Sequence, residues 1–585
     1  MRIKTGPRFL VHLLLMLCGS LLLTLLVLPP NEVLWTNPTL VLSNMLPILI
    51  VMLAIYSVCG RVFSTLGIVS LLTVGIRYLH NQKLAVLEIP LTINDALLSS
   101  QVLASPGLVL SYLGWPTIFG ICIFVLLMLA VFFKETTVVR GRYRLGLLAA
   151  LSIVLMLSSP LSQSYLELPQ SPWEPDPSLR KVGIVAYLIQ DYLRTSELQV
   201  PVANRETLAA TKARFTLPAP GSNPQQHPDI ILWLSESFFD PRILQGIDSC
   251  GQIPTFCALS QVNTNGSFTV PTFGGRTIRT EFEILTGVPM ALVSEHEYPY
   301  MSLTNTPVNS IAWELQAQGY NTTAIHNHNR RFWRRPVAMK NLGFQRWIGV
   351  EDFKTKKKVG KWHADSMLTD AVINLLEEPQ SNSPQLIFAI SMQAHGPHGN
   401  QSNLPKNQVD AIVVPDKIKP QNVSSLQQFF FHLRSADTEL QRFSSYIHTR
   451  KRPTLVLFFG DHLPGLSGVY NDLGFDNGLG PGQQQTPFLL FANYAMDKPD
   501  NPSENLAAWQ LPTLLLKAAN LLGNEAFAWF NLLYEQMNWS RDAIVECQTS
   551  TCDALLQFQL QQLSGPGSTM NTIDPPEKTK NAPSD

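Results

Sequence analysis

A surplus of charge of either sign is missing from this chain of 585 residues, in which 43 Lys and Arg balance 43 Asp and Glu. That argues against a dedicated nucleic-acid binder, which normally carries a strong basic excess. Charged residues are few, 15% of the total, and they are unevenly spread. Residues 9–160 are dominated by apolar runs, whereas the sequence from about 161 onward reads as a water-soluble globular domain. Cysteine is scarcer still, seven in all. Internal repeats are absent, and residues 564–585 have almost no apolar content, so disorder is expected there.

Five apolar stretches approach the roughly twenty residues needed to cross a bilayer. They lie near 9–29, 39–59, 62–79, 117–133 and 145–160. No small-residue cleavage site follows the first, and further spans come after it, so it reads as a membrane anchor rather than a signal peptide. With the N-terminus in the cytoplasm, Arg2, Lys4, Arg8, Arg61, Lys134, Arg140, Arg142 and Arg144 are inside, and only Arg77 and Lys83 fall in outer loops. An odd number of spans then puts the polar half outside the cytoplasm, in the periplasm or its equivalent, on a multi-pass protein of the inner (plasma) membrane.

Cysteine placement agrees with that compartment. Cys18, Cys59 and Cys122 lie in the apolar stretches, where a thiol acts as small filler. The others form two close pairs, Cys250 with Cys257 and Cys547 with Cys552, each able to close a short disulfide loop in an oxidising space. Metal binding is the weaker reading, because the first pair is too widely spaced for a zinc knuckle and no histidine follows the second.

An amphipathic stretch at 181–193 is expected to be a helix packing on the membrane surface or on the globular domain. Residues 201–227, rich in Pro, Ala and Thr, read as a linker or wrapping arm. Beyond it, apolar runs of strand length recur at 230–234, 322–325, 386–390, 455–459 and 488–491, with helical patterns between them, for example at 367–376 and 426–446. Buried strands alternating with helices predict an α/β layer fold with a largely parallel sheet. The expected division is a membrane domain at 1–160, a juxtamembrane helix and linker at 161–227, a catalytic domain at 228–545, and a C-terminal helix with a disordered tail at 546–585.

Polar residues gather just after the apolar runs: Glu236, His326, His395, and Asp461 with His462. In open α/β sheets the ligand site lies at the carboxyl ends of strands, so these scattered residues can converge. Glu236 alone is more simply a helix-capping acid. Together, two carboxylates and an imidazole suit one divalent cation such as manganese or zinc, with room for a hydroxyl; magnesium is less natural beside histidine. Thr277, after Gly274 and Gly275, supplies that hydroxyl. In isolation it would be only an N-cap; beside a metal its hydroxyl becomes a nucleophile for phosphorus or sulfur. His326, His328 and His395 are candidates for proton transfer or phosphate donation, and any one of them could be structural. Trp333 and Arg335 offer a stacking face and a bidentate phosphate grip. Arg330, Arg331, Arg334 and the run Lys356, Lys357, Lys358 read as solvated surface, the lysines with the option of facing anionic headgroups.

Taken together the motifs resemble the lipoteichoic acid synthase family, membrane-bound phosphoglycerol transferases of the alkaline phosphatase and sulfatase superfamily. The densest matches are Glu236 with Ser237, the block 275–282 (GRTIRTEF), Phe332, Trp333 and Arg335, and Gly460, Asp461 and His462, with Pro90, Leu91, Thr92 and Asp95 in an outer loop. The resemblance implies an N-terminal domain of five transmembrane helices and an extracytoplasmic α/β domain of the alkaline phosphatase/sulfatase type with a mostly parallel central sheet. It implies that Glu236, Thr277, Asp461 and His462 hold one metal ion, manganese in the best-known members, with zinc or magnesium as alternatives. Thr277 would carry a covalent phosphoglycerol, and His326, Trp333, Arg335 and His395 would bind glycerol phosphate or assist proton transfer. The donor implied is phosphatidylglycerol. The paired cysteines and polar tail suit a Gram-negative periplasm, where the acceptor would be a glycan or a lipid-linked molecule. The modified Cys or Ser motif of sulfatases, of the Cys-x-Pro-x-Arg type, is absent around Thr277. Phosphoethanolamine transfer is the nearest rival activity, and a catalytically silent lipid sensor is a rival of another class.

Overall fold

The computed structural model describes residues 5–28, 38–87, 89–98, 114–135, 183–196, 199–217, 227–378, 383–399, 401, 403–496, 505–522, 525–546 and 548–566. The expected span at 145–160, most of the tail and Cys547 lie outside the described residues. Four described helices are long and apolar enough to cross a membrane: α1 (Thr5–Val27), α2 (Pro38–Cys59), α3 (Val62–Leu87) and α4 (Trp115–Lys134). No side chain of α4 is buried by protein, although nearly all are apolar. A helix that is apolar all round and uncovered is matched to hydrocarbon. Glu135, just after it, accepts hydrogen bonds from the backbone N–H groups of Phe63 (2.9 Å) and Ser64 (2.8 Å), closing the start of α3.

Two expectations are corrected here. Arg77 and Lys83 do not lie in an outer loop, because α3 continues to Leu87; after Gly75 the sequence contains no helix breaker, so the backbone has no reason to stop at 79. The arm at 201–227 contains a helix, α6 (Arg205–Arg214), which follows α5 (Ile184–Ser196). Asn204 caps α6 by accepting from the N–H groups of Glu206 and Thr207. Its position is fixed by a C-terminal helix, α10 (Ser550–Gln562), through Asn204 N–H to Gln557 Oε1 (2.6 Å) and Arg214 Nη1 to Ser550 Oγ (2.8 Å). Helix α5 docks on the membrane bundle, where the N–H groups of Val185 and Ala186 donate to Asn44 Oδ1 in α2.

The polar half is built on one eight-stranded sheet. Its strands are β1 (Asp229–Ser235), β2 (Thr264–Thr269), β3 (Asn321–His326), β4 (Arg346–Ile348), β5 (Gln385–Ile390), β6 (Thr454–Gly460), β7 (Gln485–Ala492) and β8 (Leu506–Ala507). The spatial order is β8-β2-β7-β6-β1-β5-β3-β4, with β7 antiparallel to both neighbours and every other pairing parallel. Strand β1 lies among the central strands and is buried along its whole length, which is why it reads as a continuous apolar run. Ile230, Leu232 and Leu234 face one core and Ile231 and Trp233 the other. Helices α8 (Asp365–Glu377) and α9 (Pro420–Thr449) cover the second face, while α7 (Ile278–Thr286) covers the first. Cys250 and Cys257 are joined by a disulfide, and Cys552 is also disulfide-bonded.

Candidate active site

Four adjacent parallel strands end on one edge, and that edge is the site. Residues Ser235 of β1 and Gly460 of β6 are paired in register, so the residues that follow them, Glu236 and Asp461, emerge side by side. On the other side of β1, Leu234 pairs with Ile390 of β5, and Ile390 pairs with His326 of β3. Gly460 is required where it stands, because a Cβ there would meet the Phe238 carbonyl oxygen at 1.8 Å.

Glu236, Asp461 and His462 form the described cluster of potential metal ligands, their ligand atoms all within 4.8 Å of one another and all three residues buried. The His462 Nδ1 lies 3.0 Å from the Leu463 carbonyl, which can only accept, so Nδ1 carries a proton and Nε2 is the nitrogen turned to the carboxylates. That nitrogen is 3.1 Å from Asp461 Oδ2 and 3.7 Å from Glu236 Oε1. Apart from that nitrogen, Asp461 Oδ2 is buried with no polar partner among the described residues. Two buried carboxylates converging on one point beside an imidazole are best accommodated around a cation. Burial, reinforced by the neighbouring Asp461 carboxylate, pushes the Glu236 carboxyl up to about 8 without one. The donor set therefore fits a divalent cation.

Ser237, a residue without an assigned role in the sequence reading, tunes this set. Its hydroxyl donates to Glu236 Oε1 (2.8 Å) and its N–H to Asp461 Oδ1 (2.7 Å), which orients both carboxylates. The signal for it was only its place beside Glu236. Ser391, at the end of β5, accepts the Glu236 N–H at 2.9 Å.

Thr277 occupies the N-cap position of α7, yet its side chain makes no capping hydrogen bond. Instead Oγ1 lies 3.4 Å from Glu236 Oε2 and 3.4 Å from His462 Nε2. The simple capping role is thereby excluded, and the hydroxyl is the fourth member of the cluster. Asp461 is tied to the same helix, since Thr280 Oγ1 donates to its carbonyl at 2.8 Å.

The remaining expected residues surround the cluster at different depths. His395 lines a cavity of about 180 Å³ together with Glu236, Ser237, Gly274, Asn422 and Ser467. Its Nδ1 hydrogen-bonds the Gly396 carbonyl (2.9 Å), and burial lowers its pKa, so it is neutral with a free Nε2 lone pair. His326 uses Nδ1 on the Ile390 carbonyl (2.8 Å) and is held neutral by burial and by Arg335. His328 stands against it, ring centroids 5.8 Å apart, with its pKa pushed down to about 3, mainly by burial. Trp333 packs on Tyr298 at 5.3 Å rather than touching the metal ligands. Arg335 is buried and bidentate on Glu281, which also accepts from Tyr300 OH (2.9 Å); Arg335 Nη1 has no hydrogen-bond partner among the described residues. Sequence reading missed Glu281 and Tyr300 because their partners are distant along the chain.

Comparison with known proteins matches residues 228–516 to the family model described as Sulfatase. The "Putative cyclic beta-1,2-glucan modification protein" of Rhizobium meliloti (strain 1021) is 31% identical over 288 residues, 47% of this chain and 43% of the relative. The chain spans about half the length, or less, of the curated relatives it matches. Among solved structures, the Streptococcus pyogenes phosphoglycerol transferase GacH, in complex with sn-glycerol-1-phosphate, aligns with a TM-score of 0.50 at 20% identity, covering 63% of this chain and 94% of that one. The integral membrane protein lipooligosaccharide phosphoethanolamine transferase A of Neisseria meningitidis aligns with a TM-score of 0.52 at 13% identity, covering 86% and 95%. The second alignment extends over the apolar helices as well as the sheet domain. At these identities the structural likeness is one of fold.

Proposed function

With residues 228–516 forming a domain of the alkaline phosphatase and sulfatase superfamily behind a set of apolar helices, we propose that the chain is a membrane-bound phosphoglycerol transferase. It moves glycerol phosphate from phosphatidylglycerol to a glycan or lipid-linked acceptor outside the cytoplasm. The observation that carries this reading is the Thr277 hydroxyl, released from helix capping and 3.4 Å from both Glu236 and His462. The name of the Rhizobium relative favours a glycan as acceptor.

Glu236, Asp461 and His462, with Thr277, would hold one divalent cation, manganese or zinc by the chemistry of the donors. When bound it supplies charge stabilisation at phosphorus and a lowered hydroxyl pKa. Thr277 Oγ attacks the phosphorus of the donor phosphodiester, forming an O–P bond as the bond to the diacylglycerol oxygen breaks. The threonine proton is given up, and the leaving oxygen takes one, carried by the His395 imidazole. Arg335 turns its unpartnered Nη1 to a phosphate oxygen. Trp333 lies against the headgroup. An acceptor hydroxyl then attacks the Thr277 phosphodiester, and the threonine is regenerated. The flanking positive charges orient the N-terminus to the cytoplasm and this domain to the outer side.

The test is release of diacylglycerol from labelled phosphatidylglycerol by the full-length protein in lipid micelles, with mass spectrometry of the Thr277 peptide. Thr277→Ala should lower release by about 10³-fold or more and abolish the glycerol phosphate adduct. Release by that variant at the wild-type rate would remove Thr277 from the reaction, and an adduct of phosphoethanolamine mass would replace the donor named here.

A further inference from the structure

Thr277 is not supported by its own domain alone. The outer end of α3 reaches the turn that carries it: a Cβ on Gly275 would come within 2.9 Å of Leu87 Cδ2, and Ala85 lines the cavity beside Glu236 and Gly274. One turn earlier on the same helix, Lys83 Nζ lies 2.8 Å from Asp95 Oδ2 and 3.0 Å from Glu297 Oε1. The Glu297 carboxylate is shared. Its Oε1 also faces Arg276 Nη1 at 3.7 Å, and its Oε2 accepts the Thr92 hydroxyl at 2.5 Å. Asp95 accepts the Thr92 N–H (2.7 Å) and Tyr298 OH (2.6 Å), and Tyr298 is the residue against which Trp333 packs.

Two features show that this cluster holds something in place rather than decorating a surface. The side chains of Lys83, Arg276 and Glu297 are only 8%, 11% and 11% exposed, so each charge depends on its partners. Arg276, immediately before Thr277, adopts φ 61°, a left-handed conformation that a non-glycine residue keeps only when its surroundings enforce it. Its side chain leads to Glu297, and Glu297 leads to Lys83. Without Lys83 the Glu297 carboxylate would lose its nearer ion-pair partner and keep Arg276 at 3.7 Å with the longer-range attraction of Arg279, and the restraint on Arg276 would slacken.

We propose that Lys83, Asp95, Glu297 and Arg276 form a positioning device, through which the outer end of a membrane helix sets the nucleophile turn and, by way of Tyr298, the Trp333 wall. None of these four residues touches the reacting atoms. The device rests on the reading of Thr277 as nucleophile, and it implies that the domain acts at full rate only when coupled to its membrane helices.

The experiment compares wild type, Lys83→Met, Lys83→Arg and Thr92→Val as full-length proteins in phosphatidylglycerol micelles. Hydrogen exchange of residues 272–280 and the kinetics of diacylglycerol release are measured together. Lys83→Met is expected to speed exchange in that turn by about tenfold. It should also lower kcat by about 10- to 100-fold with KM nearly unchanged, as a misplacement of about 1 Å would. Lys83→Arg should recover most of both, and Thr92→Val, which removes only the hydroxyl shared by Glu297 and Asp95 and folds if Lys83→Met does not, should give an intermediate exchange rate. Unchanged exchange in both Lys83→Met and Thr92→Val overturns the proposal. Faster exchange in a protein whose wild type releases no diacylglycerol supports the device and rejects the donor instead.

Discussion

Replacing Arg335 separates what holds the site together from what works in it. Arg335 and Glu281 are 2% and 0% exposed and bonded to each other, with Tyr300 as the only other described donor to the carboxylate. Arg335→Met would leave the Glu281 charge buried beside one hydroxyl. Removing one partner of a buried pair costs about 3–5 kcal/mol, and at roughly 2–3 °C per kcal/mol for a domain of this size the thermal midpoint should fall by about 6–15 °C. A second change, Glu281→Met, removes the stranded charge, and an apolar pair of similar volume is often neutral or stabilising, so the double variant should recover most of that loss. Activity should not follow. Without the guanidinium no group takes over the role of the unpartnered Nη1 towards phosphate, and release of diacylglycerol should stay about 100-fold or more below wild type. Thermal unfolding by tryptophan fluorescence and the release assay, both on the full-length protein, read the two effects. A double variant that recovered activity along with its midpoint would refute the substrate role of Arg335, and an unchanged midpoint in Arg335→Met would refute the buried-charge argument.

Three other outcomes are expected. Burial alone would raise the Glu297 carboxyl, but Lys83 and Arg276 hold it down to about 2, against an ordinary 4.5; a depressed carboxyl stabilises the fold above the ordinary value and loses that stabilisation as pH falls through 4.5 towards 2, here at most about 3 kcal/mol. Thermal midpoints of wild type and Glu297→Gln should therefore converge below about pH 4.5, and a constant gap across that range would count against it. Saturating manganese or zinc should raise the thermal midpoint, by about 2.7 kcal/mol of stability at 100 times Kd, and Asp461→Asn should abolish the rise, as isothermal titration would also show. Gly460→Ala forces a Cβ against the Phe238 carbonyl, so it should cost about 2 kcal/mol or more and weaken metal binding in the same titration, because Asp461 and His462 follow directly.

Much of the fold was legible because buried parallel strands announce themselves as unbroken apolar runs. All five runs became strands of the central sheet, and the two helical patterns became α8 and α9. The convergence of Glu236, Asp461 and His462 was legible for a related reason: Glu236 and the pair Asp461 and His462 follow such runs, where α/β sheets collect ligands. What escaped was set by distance along the chain or by context. The pairing of Arg335 with Glu281 spans 54 residues, and that of Lys83 with Glu297 spans 214. Lys83 looked like a loop residue because hydropathy ends a span where the polar residues begin, whereas the helix continues for as long as its backbone has no reason to break. The helix at 205–214 was hidden by polar composition, and its support comes from Asn204 and the C-terminal α10.

The place of β1 in the sheet also bears on how the domain comes into being. β1 is the first strand made, yet both of its neighbours, β5 and β6, are synthesised more than a hundred residues later. Until the chain has passed residue 390 both edges of β1 are open, and until it has passed 460 one still is, with neither Asp461 nor His462 beside Glu236. Contacts of such long range form slowly and leave apolar edges exposed meanwhile. A polypeptide delivered across a membrane from its N-terminal side would thus arrive with the site dismantled, and would bring Glu236, Asp461 and His462 together only after most of the domain had crossed.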